Sequence, residues 1–301
     1  DVISIIKIKN LILFFDEKKL LNLFSLKGEV FNLPFILDFK NYNNLIKDKE
    51  ITLNFKSLKL NILNKSTQKK DDPIIGENVL TLLNSKIHTK YEVKEKLIIF
   101  ESNDSNIYNS QVNYKGELSI NPFDLNLIIN LANNEISKLF NINPILAEFI
   151  KSDLLFNENI NIDTSMIVNS KSKKEIFHNA KLNFKINRGK INFNNTRFVN
   201  NEIGSLELIN SNLFLRNGNL VFNGSILIDI KSSDKLFSFL NTSKSSRKKI
   251  KNILINLDYD FLTNQFTFHS IKIDNNDVNE QLLNIIEDFK KNNLNNFNKS
   301  R

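Results

Sequence analysis

The side chains able to do acid–base or metal chemistry are few and far apart. His88, His178 and His269 stand about 90 residues from one another, and none has a second ligand one helical turn away. His178 and His269 keep phase with apolar neighbours, the pattern of partly buried structural histidines. Asp71 and Asp72 precede Pro73 in a Lys-rich stretch and suit a solvated turn better than a general acid–base pair. Asp274, Asn275, Asn276 and Asp277 resemble half of a calcium loop, but no Gly or Glu follows at the EF-hand spacing. Capping of a following helix accounts for them more simply. The 7 Gly are too scattered to build a phosphate-binding loop, and no Ser is flanked by Gly as in a nucleophile elbow. With no Cys, the chain has no disulfide, thiolate metal ligand or thiol nucleophile. These residues predict a protein that is not an enzyme and that holds neither metal nor cofactor.

Basic clusters are the second source of chemistry. Lys244, Arg247, Lys248, Lys249 and Lys251 share a Ser-rich loop, and Lys171, Lys173 and Lys174 form a smaller group. Either suits anionic headgroups or phosphates. Nucleic-acid binding also calls for aromatic residues interleaved with the basic ones, and the 25 Phe lie on strand faces away from both clusters. No nucleic-acid partner is expected. The net charge of +8 accompanies an excess of Lys, Asn, Ile and Phe that AT-rich coding sequence produces, so the charge itself carries little.

The elements that must position any site read mainly as strands. Phe31, Leu33, Phe35, Leu37 and Phe39 alternate with polar residues. Period-2 runs recur at Val112–Ile120, Phe123–Leu131, Ile160–Val168, Ile176–Ile186, Leu220–Ile230 and Ile253–Phe261. The phase slips near Ser57, between Ile51–Phe55 and Leu58–Ile62, and again between Phe268 and Ile271; one extra residue at each place would be a β-bulge. Asn217-Gly218, Asn223-Gly224 and Arg188-Gly189 offer turn chemistry, and Asn194-Asn195 and Asn200-Asn201 stand in for glycine. Helical spacing is confined to Glu135–Leu155, to a short segment capped by Ser233 or Asp234, and to Val278–Phe289.

Lys27-Gly28-Glu29 leads to Pro34-Phe35, and Lys115-Gly116-Glu117 leads to Pro122-Phe123, at a constant offset of 88 residues. This echo predicts a quasi-repetitive sheet in which each Gly marks a turn before a Pro-Phe strand. The expected organisation is a repetitive β segment over 1–132, a helical insertion over 133–156, a β region over 157–276, and a C-terminal amphipathic helix with a frayed tail over 277–301. Helices are too few to cover the sheet, so its apolar face must pack on itself or take a ligand. An acyl chain is the natural ligand for a long, curved antiparallel sheet with an open apolar groove.

The stretch from Ile186 to Asp274 resembles the C-terminal region of AsmA-like proteins, the superfamily of bacterial envelope proteins that includes the TamB and YhdP types. The resemblance is carried by Gly189-Lys190-Ile191-Asn192-Phe193, Gly204-Ser205-Leu206-Glu207-Leu208, Leu213 through Leu220, and Gly224 through Ile230. It implies a taco-shaped β-groove that conducts phospholipid between the inner and outer membranes. It further implies a periplasmic chain attached to the bacterial inner membrane by an N-terminal helix, with other envelope proteins as partners. Since the sole Met is Met166, Asp1 is not a translational start, and such an anchor is expected upstream. By analogy Phe31, Phe35, Phe39, Leu125, Leu127, Phe184, Phe222 and Ile228 line the groove, and Arg247, Lys248 and Lys249 meet headgroups. Two alternatives remain: a structural β assembly with a closed core and no lipid, and part of an outer-membrane barrel, which the helical stretches disfavour.

Overall fold

The computed structural model describes residues 6–30, 32–43, 46–70, 72–107, 110–132, 135–136, 156–170, 175–263 and 265–278. It is mainly β and antiparallel, with one short helix among the described residues, and it divides into two units, Asp1–Asn133 and Asn134–Arg301. The expected helices over 135–155 and 278–289, and the tail, lie almost wholly outside the described residues.

Unit 1 is a meander of ten strands: β1 (Ile6–Asp16), β2 (Leu21–Val30), β3 (Leu33–Asn43), β4 (Ile46–Phe55), β5 (Leu60–Lys69), β6 (Ile74–Leu82), β7 (Ser85–Lys94), β8 (Leu97–Ile107), β9 (Ser110–Ile120) and β10 (Phe123–Ala132). Each strand pairs with the next. Residues directly opposite in such pairs share a face. The register therefore turns the sequence alternation into rows. Leu11, Leu26, Leu37, Leu53, Ile62, Leu80 and Ile87 form one apolar row across seven strands. On the opposite face Lys40, Glu50, Lys65, Glu77, Lys90, Glu101 and Lys115 form a row of alternating charge across seven strands.

In unit 2, β11 (Ile160–Asn169) and β12 (Asn179–Asn187) pair, and β12 is followed by two short strands, β13 (Lys190–Asn192) and β14 (Thr196–Asn200). Both short strands lie between β12 and β15 (Gly204–Arg216), as one strand broken at residues 193–195. Side chains fill the break. Asn183 Nδ2 donates to the carbonyls of Asn194 and Asn195, and the buried Ser211 hydroxyl accepts from the Phe193 N–H. The meander continues through β16 (Asn219–Ile230), β17 (Asn252–Asp260), β18 (Gln265–Ile273) and the short β19 (Asn276–Asp277). Its buried cluster is Ile186, Ile191, Leu213 and Leu220, with Phe184, Phe193 and Phe222 packed against it. Each fully buried side chain of this size contributes roughly 1.5–3 kcal/mol.

Several turn expectations need correcting. The slip near Ser57 is not a bulge but a chain reversal: a 3₁₀ turn at Lys56–Leu58, closed by Lys59 at φ 51°, joins β4 to β5. The four-residue loop sets Phe55 opposite Leu60, five positions on, and a loop with an even number of residues shifts the period as an extra residue does. The slip near Phe268 is a bulge, with His269 the extra residue against β17. Asn217-Gly218 makes the β15–β16 turn with φ of 54° and 78°, whereas Asn223-Gly224 lies inside β16. Asn195 takes a positive φ; Asn200 instead accepts from the N–H groups of Glu202 and Ile203 through its Oδ1. Asp274 and Asn275, at φ 51° and 67°, form the two-residue β18–β19 turn, and Asp277 lies in β19. The helix α1 (Ser233–Phe239) is capped by Ser232, which accepts from the Lys235 N–H, one residue before the expected cap.

The glycines of the 88-residue echo do not mark turns. Gly28 lies within β2 and Gly116 within β9, each beneath an aromatic ring, Phe35 and Phe100 respectively. The reversals lie between Val30 and Leu33, which pair, and at the cis Asn121-Pro122 peptide. Registers differ as well: Gly28 pairs with Phe35, but Gly116 pairs with Leu127.

Candidate functional site

The candidate site is the apolar face of each sheet, taken unit by unit. In unit 1, Phe35 is cross-strand neighbour of Gly28, and its ring centroid is 5.8 Å from that of Phe55. Phe39 continues a row with Leu13, Phe24 and Ile51. Leu125 ends the row Val93, Ile98, Leu118, and Leu127 ends the row Tyr91, Phe100, Gly116. The register thus brings Phe35, Phe39, Leu125 and Leu127 to one face, all half-buried. Phe31 lies outside the described residues.

Burial separates the two units. Among the described residues of unit 1, Val112 is the single buried apolar side chain; on the same face Ile120, Leu82 and Ile51 are exposed. The face is not uniformly apolar. Asn64, Asn78 and Thr89 form one row across β5–β7. The Tyr91 hydroxyl bridges to Asn64 Nδ2 at 3.0 Å, Thr89 contacts the Tyr114 hydroxyl, and Asn78 Oδ1 is buried without a hydrogen-bond donor. Sequence alternation gave no sign of this polar cluster, because it is assembled from four strands by register alone.

In unit 2, Phe184, Phe222 and Ile228 also share the apolar face. Phe222 belongs to the row Ile162, Ile186, Ile191, Leu213, Phe222, Tyr259, Phe266, and Ile228 to the row Val168, Ala180, Phe198, Leu206, Ile228, Ile253, Ile273. Phe193 links Phe184 and Phe222 at centroid distances of 5.6 and 6.2 Å. Several members are fully buried, including Val168, Ile186 and Ile191.

Two of the three histidines, His88 and His269, engage carboxylates on the polar faces. His88 Nδ1 is 2.7 Å from Asp104 Oδ2 and its Nε2 is 3.3 Å from Glu77 Oε2, so both ring nitrogens are occupied from opposite sides. The bulged stretch of β8 creates this arrangement: the buried Ser102 and Ser105 hydroxyls hydrogen-bond at 2.6 Å, and Ser105 accepts from the His88 N–H. His88 holds the Asp104 carboxyl below the usual range, partly offset by burial. His178 precedes β12 and its backbone bonds Ser170 and Val199. His269 Nε2 lies 3.1 Å from Asp258 Oδ1, while Arg216 and Asn223 donate to the same buried carboxylate at 3.0 and 2.7 Å. Among the described residues no group of three or more His, Asp or Glu side chains gathers to hold a metal ion.

The basic loop splits in role. Arg247 donates from Nε to the Thr242 carbonyl and from its guanidinium to the Ser238 hydroxyl, pinning the loop to α1. Lys248 and Lys249 are exposed, whereas Lys171, Lys173 and Lys174 lie outside the described residues. No described helix is long and apolar enough to cross a membrane, which says nothing of β-barrels. No family model, curated protein or solved structure matches the chain.

Proposed function

We propose that the chain is a non-enzymatic lipid-binding segment whose apolar sheet face shields acyl chains while headgroups stay in water. The observation that carries this is the state of unit 1: ten strands direct Leu, Ile and Phe to one face, and among the described residues Val112 is the single apolar side chain buried there. Ten strands at ~4.8 Å spacing and about 33 Å length make a face on the order of 1,000 Å². Monomers seldom expose apolar patches beyond a few hundred Å². Acyl chains fit such a face without requiring directed polar partners. As a conduit the chain belongs in the bacterial periplasm, attached to the inner membrane and passing phospholipid between the two membranes alongside other envelope proteins.

The test is native mass spectrometry and lipid extraction of protein purified from an envelope, together with uptake of a fluorescent fatty acid. Co-purified phospholipid and saturable uptake are expected. Absence of both overturns the proposal.

The buried cluster of Ile186, Ile191, Leu213 and Leu220 favours the alternative for unit 2, a closed structural core without cargo. Uptake by a chain carrying Phe35→Glu but not by one carrying Phe222→Glu would move the lipid site to unit 2.

A further inference from the structure

The apolar face of unit 1 is amphiphilic along its strands. Asn22, Asn41, Lys49 and Ser66 form one polar row across β2–β5, and Lys47 and Gln68 stand opposite one another beyond it. In the other direction the same strands turn apolar, first at Phe24, Phe39 and Ile51, then at Leu26, Leu37, Leu53 and Ile62. Phe35 and Phe55 close that end, their ring centroids 5.8 Å apart. Charge on this face is confined to the polar end. Among the residues that the register places there, Lys47 and Lys49 alone are charged, and every Asp and Glu that the register pairs falls on the opposite face. Both lysines are exposed, and neither forms an ion pair with a described residue, whereas Lys40 and Lys65 on the other face share Glu50.

Two cations about 7 Å apart on one face, with no counter-charge beside them, favour an anion. From Lys49 to Phe55, β4 runs about 20 Å, enough for the roughly 15 Å that one leaflet contributes to a ~30 Å hydrocarbon core. A free phosphate would meet the lysines and leave the apolar rows bare, and an uncharged lipid would do the reverse. An anionic amphiphile meets both. We propose that Lys47 and Lys49 hold the anionic headgroup of a phospholipid whose acyl chains run along β3–β5 toward Phe35 and Phe55. This rests on the lipid-binding reading of unit 1 and adds to it the charge and the direction of the lipid. It also moves the headgroup contact from Arg247, Lys248 and Lys249, where the resemblance put it, to the strand face itself. The head then sits at exposed residues and the chains on half-buried ones, so the polar end of the face stays wet.

Calorimetric titration of the 301-residue chain with three soluble lipids of equal chain length tests this: dioctanoyl phosphatidylglycerol, dioctanoyl phosphatidylcholine and dioctanoylglycerol. Phosphatidylglycerol should bind tightest, and ~1 M salt should remove its advantage. Lys47→Gln and Lys49→Gln should each weaken phosphatidylglycerol about fivefold, with unchanged affinity for dioctanoylglycerol and unchanged circular dichroism. Lys86→Gln, opposite Thr81 on the polar face, and Lys248→Gln in unit 2 should change nothing. Inorganic phosphate should not displace phosphatidylglycerol. Equal affinity for the three lipids, or an equal loss in Lys86→Gln or Lys248→Gln, overturns the headgroup assignment while lipid binding stands. Displacement by inorganic phosphate overturns it in favour of a free-anion site. Binding of none of the three overturns the lipid reading and this inference together.

Discussion

Tyr91 lies across Gly76 of the neighbouring strand so closely that a Cβ on Gly76 would stand 2.4 Å from the tyrosine ring and hydroxyl. The glycine is therefore a seat for the ring, and its role is close approach, not freedom of the backbone. The same position would bring that Cβ to 2.7 Å from the Lys65 carbonyl. Gly76→Ala should therefore cost about 1–3 kcal/mol, the usual penalty of overpacking. In a Tyr91→Ala background the cost should fall but not vanish, since the Lys65 carbonyl remains. Urea unfolding of the four chains measures it; costs that add to within ~0.5 kcal/mol would show that the ring is not the obstacle.

Phe35 is the sharpest probe of the lipid proposal. It is half-buried, packs on Phe55 and overhangs Gly28. On an open face a Glu at this position reaches water, so Phe35→Glu should leave the fold intact and abolish fatty-acid uptake. In a closed core the same carboxylate would be buried unpaired, at a cost of several kcal/mol, and the chain would unfold instead. Circular dichroism and a fluorescent fatty acid titration, run on the same sample, separate the two results.

The strand class was legible wherever alternation was unbroken, as at Phe123–Leu131, which is β10. It was illegible where local structure interrupts the period. β8 begins as Leu97-Ile98-Ile99-Phe100 and continues through Glu101–Asn106, where a bulge and the buried Ser102–Ser105 pair replace apolar alternation. β1 reads as a run of five apolar residues because Leu11, Leu13 and Phe15 on one face and Ile12 and Phe14 on the other are all apolar. For the site, alternation placed Phe35, Phe39, Leu125 and Leu127 on strands, but only register could show that they share a face. Gly28 and Gly116 were misread because an in-strand glycine under a cross-strand ring carries the same letter as a turn glycine; the ring over Gly116 comes from Phe100, 16 residues away.

Asp258 should make unit 2 sensitive to acid. Burial pushes its carboxyl up, but hydrogen bonds from Asn223, His269 and Arg216 outweigh burial and hold it below the ordinary value of 3.8. A depressed native value means that folding favours the charged form. The resulting stability is fully present above pH 3.8 and is lost as pH falls through the lower native value. At neutral pH, Asp258→Asn should lower stability by about 1–3 kcal/mol, because the Arg216, Asn223 and His269 donors lose their shared acceptor. Below about pH 4 the gap between the two chains should narrow as the native aspartate protonates. Urea midpoints measured across this range check the sign; a gap that widens in acid would refute it.

The charge row on the polar face of unit 1 should act as a register lock. Each of Glu50, Lys65, Glu77, Lys90 and Glu101 stands opposite a residue of the other sign on both sides, between Lys40 and Lys115 at the ends, with Lys40 Nζ 2.9 Å and Lys65 Nζ 4.0 Å from the Glu50 carboxylate. Exposed pairs of this kind contribute little individually, roughly 0.2–1 kcal/mol, but a slip of one residue would lose all six cross-strand pairings together. Lys90 is exposed and stands between Glu77 and Glu101. Lys90→Glu places three carboxylates side by side and should cost about 1–2 kcal/mol at low salt, with most of the loss removed at ~1 M salt, where screening acts within ~3 Å. Lys90→Gln, which removes the attraction without adding repulsion, should cost less than half as much. The reversal Glu77→Lys combined with Lys90→Glu repairs the 77–90 contact but leaves each new charge facing a like one on its outer side, Lys65 and Glu101. It should therefore be less stable than the unsubstituted chain. Denaturant midpoints at low and high salt decide the matter: if Lys90→Glu and Lys90→Gln cost the same at both, the row is ornament on the surface and register is set by the apolar face alone.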